Sequence, residues 1–197
     1  NLLDYGNYSY QACAKDSSGR ENCTEKRVIR IGSVSTDVAD CMVLDKANSV
    51  YSMTQDIVKS GFNGICINIS AQNVTLDCKG FSIYNSYSTA YVFGIYSNQR
   101  NTTIKNCQVS VGNGDGFNYF GYGVYFINSN YSSIVNSTLY RNFYNLVLES
   151  SSNNVLKDSN LSLSGFYDVN IFNSLNNTFV NCIYDISQEI VNSGSSL

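Results

Sequence analysis

Ile104-Lys105-Asn106-Cys107 opens a pattern that recurs three times before the chain ends, and this repeat decides the fold. The copies are Ile134-Val135-Asn136-Ser137, Leu156-Lys157-Asp158-Ser159 and Phe179-Val180-Asn181-Cys182, at spacings of 30, 22 and 23 residues. Recurrence about every 22 residues is typical of a solenoid, in which each coil buries its apolar edge against the next coil. The sequence therefore predicts a repeat architecture.

The segments between these copies carry a strand signal. At 123–126, 145–148 and 168–171 every second residue is apolar, as Val124 and Phe126 are, and this is the period of a β-strand. Asn, Gly, Ser and Asp separate the short apolar segments and leave no room for a helix. We therefore predict an all-β fold, a single-stranded parallel β-helix of about five rungs with its strands in parallel register.

One column of the repeat consists of Asn or Asp, at Asn106, Asn136, Asp158 and Asn181. These two residue types tolerate left-handed backbone angles, so each rung is expected to turn here. Because stacked rungs lie roughly 4.8 Å apart, the side-chain amides can bond to one another up the column. The column therefore predicts a turn that carries an amide ladder.

A second turn column is preceded by aromatic residues. The turn positions are Gly94, Gly123, Asn145 and Asp168. We expect the stacked aromatic rings to stabilise the coil itself. The aromatic residues are Phe93, Tyr122, Tyr144 and Tyr167.

The alternation also predicts which side chains fill the interior of the coil. These are the apolar residues that point inward on each rung. They are Leu76, Ile104, Val109, Val124, Phe126, Ile134, Leu139, Leu146, Leu148, Leu156, Leu161, Val169, Ile171 and Phe179.

Composition limits the classes of partner. The 197 residues carry a net charge of −3 with only 14% charged residues, which gives no electrostatic reason to bind nucleic acid or anionic lipid. No apolar run approaches the length of a membrane span, so we expect no membrane insertion. The chain begins without a methionine, as a mature or excised piece does.

Cysteines and glycosylation motifs point to the outside of the cell. The chain has 7 cysteines and nine Asn-x-Ser/Thr sequons, a combination typical of an oxidising, glycosylating environment. We expect N-linked glycans at most sequons but not at Asn136, because its amide belongs to the ladder column. The expected sites are Asn7, Asn22, Asn68, Asn73, Asn101, Asn130, Asn160 and Asn176.

Residues 1–31 differ from the repeat and read as a β-hairpin. Residues 4–13 alternate like a strand and resemble the end of an immunoglobulin-like domain, 16–19 read as a turn, and 28–31 end a returning strand. A lone hairpin is marginal in water. It must pack on the β-helix, complete a domain, or donate a strand to another chain.

Geometry suggests how the cysteines pair. Two flank the hairpin turn symmetrically, two join a capping segment to an early strand, and two lie on adjacent rungs. Adjacent rungs are roughly 4.8 Å apart, inside the range of about 4.4–6.8 Å that a disulfide accepts. Cys182 is expected to be a free, buried thiol unless it joins another subunit, since Cys107 lies three rungs away, roughly 14 Å. The predicted pairs are Cys13–Cys23, Cys41–Cys66 and Cys78–Cys107.

The run from 50 to 83, VYSMTQDIV…GICINISAQNVTLDCKGFSI, resembles the first coil of secreted right-handed parallel β-helix repeat proteins. These are relatives of the pectate-lyase superfamily, common among archaeal and bacterial surface proteins. The segments NTTIKNCQVS (101–110) and NNTFVNCIYD (176–185) resemble their later rungs. The resemblance covers roughly residues 41–190 and implies a right-handed coil. We divide the chain into the hairpin at 1–31, a linker and cap at 32–64, and the β-helix at 65–197.

Two insertions lengthen early rungs, at 84–91 and 112–120, and both fall at the same turn. Long loops on a regular scaffold are often functional. Their aromatic side chains suit sugar rings or a protein partner; the alternative is that the loops fold back and cap the coil. The candidate contact residues are Tyr84, Tyr87, Tyr91, Phe117, Tyr119 and Phe120.

Catalytic residues are not apparent. The resemblance suggests polysaccharide cleavage, which needs paired carboxylates, or a calcium cluster with a base. Histidine is absent, and Asp115 alone is not a calcium site. We therefore predict no enzyme activity, no catalytic or metal residues and no cofactor. The scattered rung acids are Asp77, Asp115, Glu149, Asp158, Asp168, Asp185 and Glu189.

These observations favour a non-enzymatic extracellular structural protein, a glycosylated subunit of a cell-surface layer or filament whose main partner is itself. The unpaired hairpin and exposed strand edges favour assembly. The alternative is a carbohydrate-binding or adhesion module that uses aromatic loops 84–93 and 112–122. A polysaccharide lyase or hydrolase is the third reading.

Overall fold

The computed structural model describes residues 6–31, 35–86, 90–112, 121–185 and 189–191. The chain divides into two compact units, Asn1–Val34 and Ser35–Leu197. The described residues are all β-strand, turn or irregular backbone. They contain no helix that could cross a membrane.

The first unit is the predicted hairpin. Strands β1 (Gly6–Tyr10) and β4 (Arg27–Ile31) pair antiparallel, and β2 (Cys13–Lys15) pairs antiparallel with β3 (Glu21–Cys23). The Asp16 side chain closes the tip, since its carboxylate accepts hydrogen bonds from the backbone N–H groups of Ser18 and Arg20, both 2.9 Å. The unit is thus a two-stranded ribbon along its whole described length.

The second unit is a parallel β-solenoid with three sheets. Each sheet collects one strand per coil. Sheet 1 contains β5 (Ser35–Val38), β7 (Val50–Met53), β10 (Thr75–Asp77), β13 (Thr103–Lys105), β16 (Ser133–Val135), β19 (Val155–Lys157) and β22 (Thr178–Val180). Sheet 2 contains β8 (Ile57–Lys59), β11 (Ser82–Asn85), β14 (Gln108–Ser110), β17 (Thr138–Tyr140) and β20 (Asn160–Ser162). Sheet 3 contains β6 (Met42–Leu44), β9 (Gly64–Ile69), β12 (Val92–Ser97), β15 (Gly121–Ile127), β18 (Tyr144–Glu149), β21 (Tyr167–Phe172) and β23 (Glu189–Val191).

Each coil takes one strand from each sheet in turn, beginning with β7, β8 and β9, and about five coils are complete. All strand pairs within the three sheets are parallel, and the register follows the repeat. Ile134 lies opposite Ile104 and Leu156, and Leu156 lies opposite Phe179. The all-β fold and its parallel register are therefore confirmed.

The solenoid begins earlier than the sequence suggested. Residues 32–64 were predicted to be a linker and cap, but Ser35–Val38 already pairs with β7 in sheet 1, and Met42–Leu44 pairs with β9 in sheet 3. The incomplete first coil therefore covers the end of the core by adding strands to the two sheets. The boundary at residue 65 was wrong, and the solenoid starts at Ser35.

One continuous apolar core runs through the solenoid. All the interior positions predicted from the alternation are buried except Phe179, which is partly buried and packs against the core. The early coils add further buried residues that the repeat did not identify. These include Val38, Leu44, Tyr51, Met53, Ile57, Ile67 and Ile69.

The disulfides connect the pairs that geometry suggested. Cys13–Cys23 crosses the hairpin, Cys41–Cys66 joins the residue before β6 to β9, and Cys78–Cys107 joins adjacent coils with a Cα–Cα distance of 4.8 Å. Cys182 is the free cysteine, as predicted.

Candidate functional site

An aromatic surface covers the outer face of sheet 3. Its first column is the one predicted from the sequence: Phe93 stacks on Tyr122 with ring centroids 4.8 Å apart, Tyr122 stacks on Tyr144 at 5.1 Å, and Tyr144 contacts Tyr167 at 6.0 Å. The first three rings lie within about 10° of parallel. The column therefore ties four coils together through side chains, in addition to the backbone hydrogen bonds.

A second aromatic column, which the sequence reasoning missed, consists of Tyr96 and Tyr125. Their rings are parallel within 14° at a centroid distance of 6.0 Å. Tyr125 meets Tyr122 at 87°, with the centroids 5.2 Å apart. Its hydroxyl donates a short hydrogen bond to the Glu149 carboxylate. The two columns form one interlocked surface, hereafter the aromatic face.

Burial changes the acidity of the tyrosines on the aromatic face. Desolvation, reinforced by neighbouring Tyr and Glu groups, raises the pKa of Tyr122 to about 12. Desolvation and the hydrogen bond to Glu149 raise the pKa of Tyr125 further, and desolvation raises that of Tyr144. These hydroxyls stay protonated at neutral pH, and that of Tyr125 donates to Glu149.

We expect the solenoid to lose stability in strong alkali. A raised folded-state pKa means that the stabilisation is complete below the unfolded pKa of about 10 and is lost as pH rises through the folded value. Chemical unfolding at several pH values between about 9 and 12 should show this loss. A Tyr125→Phe variant should show a smaller loss, and an unchanged slope would contradict the assignment.

The stacking limits how the aromatic face can act. Tyr122 has a parallel ring on each side, so both of its faces are covered and only its edge is available to a ligand. A sugar that packs on an aromatic ring needs an open ring face. The first column is therefore primarily a structural element, as the sequence analysis expected.

The predicted contact loops are described only in part. Their ends lie on neighbouring coils, since β11 pairs with β14 and β12 pairs with β15. Tyr84 and Tyr91 are exposed, at 40% and 54%, and the Tyr91 ring lies 6.4 Å from that of Tyr122. The other proposed contacts, Tyr87, Phe117, Tyr119 and Phe120, fall outside the described residues.

The amide ladder forms, but it runs in two separate pieces. Asn106, Asn136, Asp158 and Asn181 all have φ between 47° and 56°. Asn136 donates to Asn106 at 2.8 Å and Asn106 donates to Asp77 at 2.9 Å. Asn181 donates to Asp158 at 2.8 Å. Within the described chain, no hydrogen bond joins the side chains of Asn136 and Asp158.

The break follows from the chemistry of a carboxylate. An ionised Asp only accepts hydrogen bonds. Because Asp77 only accepts, Asn106 donates to Asp77 and Asn136 in turn donates to Asn106. The Asp158 side chain has no N–H that could donate to Asn136. The Asn136 and Asp158 side chains therefore exchange no hydrogen bond at this step of the ladder. They border a polar groove of about 470 Å³ beside Asn106 and Asn136, which adjoins one of about 270 Å³ beside Asp158.

We expect Asp158→Asn to stabilise the protein by about 0.5–1.5 kcal/mol. The new amide can donate to Asn136 and still accept from Asn181, so the ladder becomes continuous. Lys157 loses its contact with Asp158 at 3.9 Å, but both side chains are largely exposed and such pairs contribute little.

Urea unfolding of Asp158→Asn, with Asp158→Ala as the matched control, checks this. The Ala variant removes the acceptor of Asn181 and should destabilise. If both variants destabilise alike, the ladder is not broken between Asn136 and Asp158.

A separate polar network is buried between sheets 2 and 3. Asn142 accepts from the Val111 N–H at 2.7 Å and donates to Asn145 at 2.9 Å, and Asn145 donates to the Asp168 carboxylate at 2.7 Å. The Gly123 backbone leaves the space that this network occupies. Polar groups are tolerated in a protein interior when each has a hydrogen-bond partner, as these have.

The carboxylates of Asp77, Glu149, Asp158 and Asp168 have structural partners. Asp77 accepts from Asn106 and contacts Lys105 at 3.3 Å. Burial opposes ionisation of Asp77, but these contacts and the Lys79 N–H outweigh it and lower its pKa. Glu149 accepts from Tyr125, and Asp185 offers its N–H to Asp168 at 3.0 Å. Asp115 and the Glu189 side chain lie outside the part that the structure describes.

One group of potential metal ligands is present among the described residues, Cys13, Glu21 and Cys23. Both of its sulfurs are joined in the hairpin disulfide, so they are not available as thiolate ligands. The group therefore gives no support for a metal centre.

Four of the sequon asparagines are engaged in ladders. Asn136 lies in the ladder described above, as expected. Asn73 and Asn101 form a second ladder with Asn48, with N···O distances of 2.7 and 2.5 Å. The Asn176 side chain likewise donates a hydrogen bond to the Asn153 side chain, with an N···O distance of 3.4 Å. No glycan was expected at Asn136 because its side-chain amide is engaged in a ladder. The side-chain amides of Asn73, Asn101 and Asn176 are engaged in the same way.

The comparisons with known proteins add little. No family model matches the sequence, and no curated protein matches it. Among solved structures, the A-module of mannuronan C-5 epimerase AlgE4 from Azotobacter vinelandii is similar at 9% identity over 77% of this chain, with a TM-score of 0.21. This chain spans 66% of the length of that module. The fold assignment above stands on the strand pairing.

Proposed function

We propose that this protein is a non-catalytic extracellular scaffold that assembles with copies of itself. Three disulfides are consistent with an extracellular or secreted protein. The carboxylates of Asp77, Asp158 and Asp168 serve ladders, ion pairs and a buried network, and that of Glu149 accepts from Tyr125, which supports a structural use of these residues. The stacked aromatic columns support the same reading, because they reinforce the contact between coils.

The observation that carries self-assembly is the hairpin. Among the described residues, its sheet contains only the two strands β1 and β4. Val28 is 65% exposed, and Tyr10 and Ile29 are also exposed. A two-stranded ribbon with exposed apolar residues is marginal in water, and an open strand edge is a template for pairing with another chain. A second copy supplies that strand.

We expect deletion of residues 1–31 to abolish assembly and leave the solenoid folded, because the solenoid is a compact unit of its own. Light scattering measures the assembly. Circular dichroism, together with mapping of the Cys41–Cys66 and Cys78–Cys107 disulfides, checks the fold of the truncated protein.

A point variant makes the same test without truncation. Val28→Asp places a charge on the exposed apolar surface of the hairpin and should weaken assembly, whereas Lys26→Asp, at an exposed position two residues earlier, should not. Assembly of the truncated protein at the wild-type level would refute the role of the hairpin.

The second candidate function is binding of a neutral polysaccharide, and the observation that favours it is the ladder break. Sugar hydroxyls can donate to the side-chain oxygens of Asn136 and Asp158, which line the same groove, and the other amides there have spare donors and acceptors. Titration calorimetry with neutral oligosaccharides tests this. Asp158→Asn should close the gap and lose binding while gaining stability, and undiminished binding would exclude the groove.

A further inference from the structure

Asn68 differs from the other solenoid sequons. It lies within β9, between Ile67 and Ile69, whose side chains are fully buried, so its own half-buried side chain faces outward. No described residue forms a hydrogen bond with its amide. Ladder bonds hold Asn73, Asn101, Asn136 and Asn176, as described above.

Two further solenoid sequons are constrained as well. The Asn130 side-chain oxygen accepts from the Ser152 N–H at 2.6 Å, and the Asn160 side-chain oxygen is buried. Asn68 is thus the sequon whose amide is best placed to carry a glycan among the solenoid residues that the structure describes.

The neighbours of Asn68 are apolar. In sheet 3 its register partners are Tyr96 on the next coil and Val43 on the previous coil, and Val43 is 49% exposed. Tyr96 is the first ring of the second aromatic column: Tyr125 lies on one side of it and Asn68 on the other. The position that would hold the next ring is therefore occupied by a glycosylation motif.

We propose that Asn68 carries an N-linked glycan whose first sugar packs against Tyr96 and extends the column of Tyr125 and Tyr96 by one member. Adjacent strands are roughly 4.8 Å apart, so a sugar attached at Asn68 lies within reach of the ring on the next strand. Its apolar face covers ring and aliphatic surface that is otherwise exposed to water. The glycan is then part of the aromatic face.

The covalent step is a transfer from a lipid-diphosphate-linked oligosaccharide. A bond forms between Nδ2 of Asn68 and C1 of the first sugar, and the bond from C1 to the diphosphate oxygen breaks. Nδ2 loses one proton, and the lipid diphosphate leaves with the bonding electron pair. The inference rests on the extracellular location within the proposed function, and it is independent of self-assembly.

The test uses the full chain secreted from a eukaryotic host, whose N-glycans begin with N-acetylglucosamine. Glycopeptide mass spectrometry should show Asn68 occupied. The acetyl methyl signal of that sugar should be shifted upfield in the NMR spectrum by the Tyr96 ring current. Tyr96→Val should remove the shift without unfolding the sheet, because Val43 and Val147 occupy the same column on other coils.

Thermal unfolding gives an independent readout. We expect Asn68→Gln to lower Tm by about 2–4 °C in the wild-type background, and to have little effect in the Tyr96→Val background. The matched control is Asn22→Gln in the hairpin, whose effect should be the same in both backgrounds.

Three results would overturn the inference. An empty Asn68 beside an occupied Asn22 would refute it and leave the extracellular location intact. An occupied Asn68 with an unshifted methyl signal and additive effects would show that the glycan does not contact Tyr96. Absence of glycan from the whole chain would count against both this inference and the glycosylated extracellular protein proposed above.

Discussion

Replacing Ile171 with alanine should lower the free energy of unfolding by about 2–5 kcal/mol. Ile171 is fully buried in β21, opposite Leu148 of the preceding coil. Its neighbours are held by parallel strands above and below, so the coil cannot easily collapse into the space that the substitution leaves. The loss therefore combines the lost burial of the side chain with a residual cavity.

Urea unfolding followed by circular dichroism, with the disulfides intact, measures this effect. The control is Ile183→Ala, the same substitution at a residue that is 68% exposed, and it should change stability by less than about 0.5 kcal/mol. Equal losses in the two variants would show that the interior of the solenoid is not closely packed.

The second large effect is expected for Gly123→Ala. A Cβ atom at this position would lie 2.6 Å from the backbone oxygen of Asn145 and 2.7 Å from Nδ2 of Asn142. Asn142 cannot move aside without breaking its bonds to the Val111 N–H, the Val109 carbonyl and Asn145. Overpacking of this kind costs about 1–3 kcal/mol, and each buried group left unpaired adds about 1–3 kcal/mol.

Gly165→Ala is the matched control, because the nearest atom to its added Cβ is Cδ2 of Phe143 at an ordinary 3.5 Å. Hydrogen exchange at Val111 adds a local readout, since its N–H is bonded to Asn142. A Gly123→Ala protein as stable as Gly165→Ala, with protection at Val111 unchanged, would mean that the buried network does not depend on this glycine.

The later coils could be predicted from the sequence because each repeats the same few chemical constraints. A left-handed turn favours Asn or Asp, and a closed core requires an apolar residue at every second position of a strand. Ile134 and Leu156 stand at the same place in successive repeats, so they predicted both the strand register and the buried positions. The Cys78–Cys107 pair followed from the same rung spacing. The right hand of the coil, which only the resemblance implied, stays a prediction.

The early coils were harder to recognise because their spacing is irregular. Ser35 pairs with Val50, only 15 residues later, whereas Val50 pairs with Thr75. A first coil this short lies outside a repeat of about 22 residues. Its strands were therefore mistaken for a cap.

The second aromatic column was missed for a different reason. Simple alternation places outward residues two apart, but in β12 the consecutive residues Gly94 and Ile95 are both buried. The outward positions become Phe93 and Tyr96, three residues apart. The ladder break was missed because Asn and Asp were treated as equivalent, although only Asn can donate a hydrogen bond.

The central claim is that this chain is a structural subunit that assembles with itself through its hairpin. Electron microscopy of the purified full chain, beside the same chain without residues 1–31, tests it most directly. The account predicts filaments or ordered layers for the full chain and single solenoids for the truncated one. Monodisperse single particles from both proteins would contradict it.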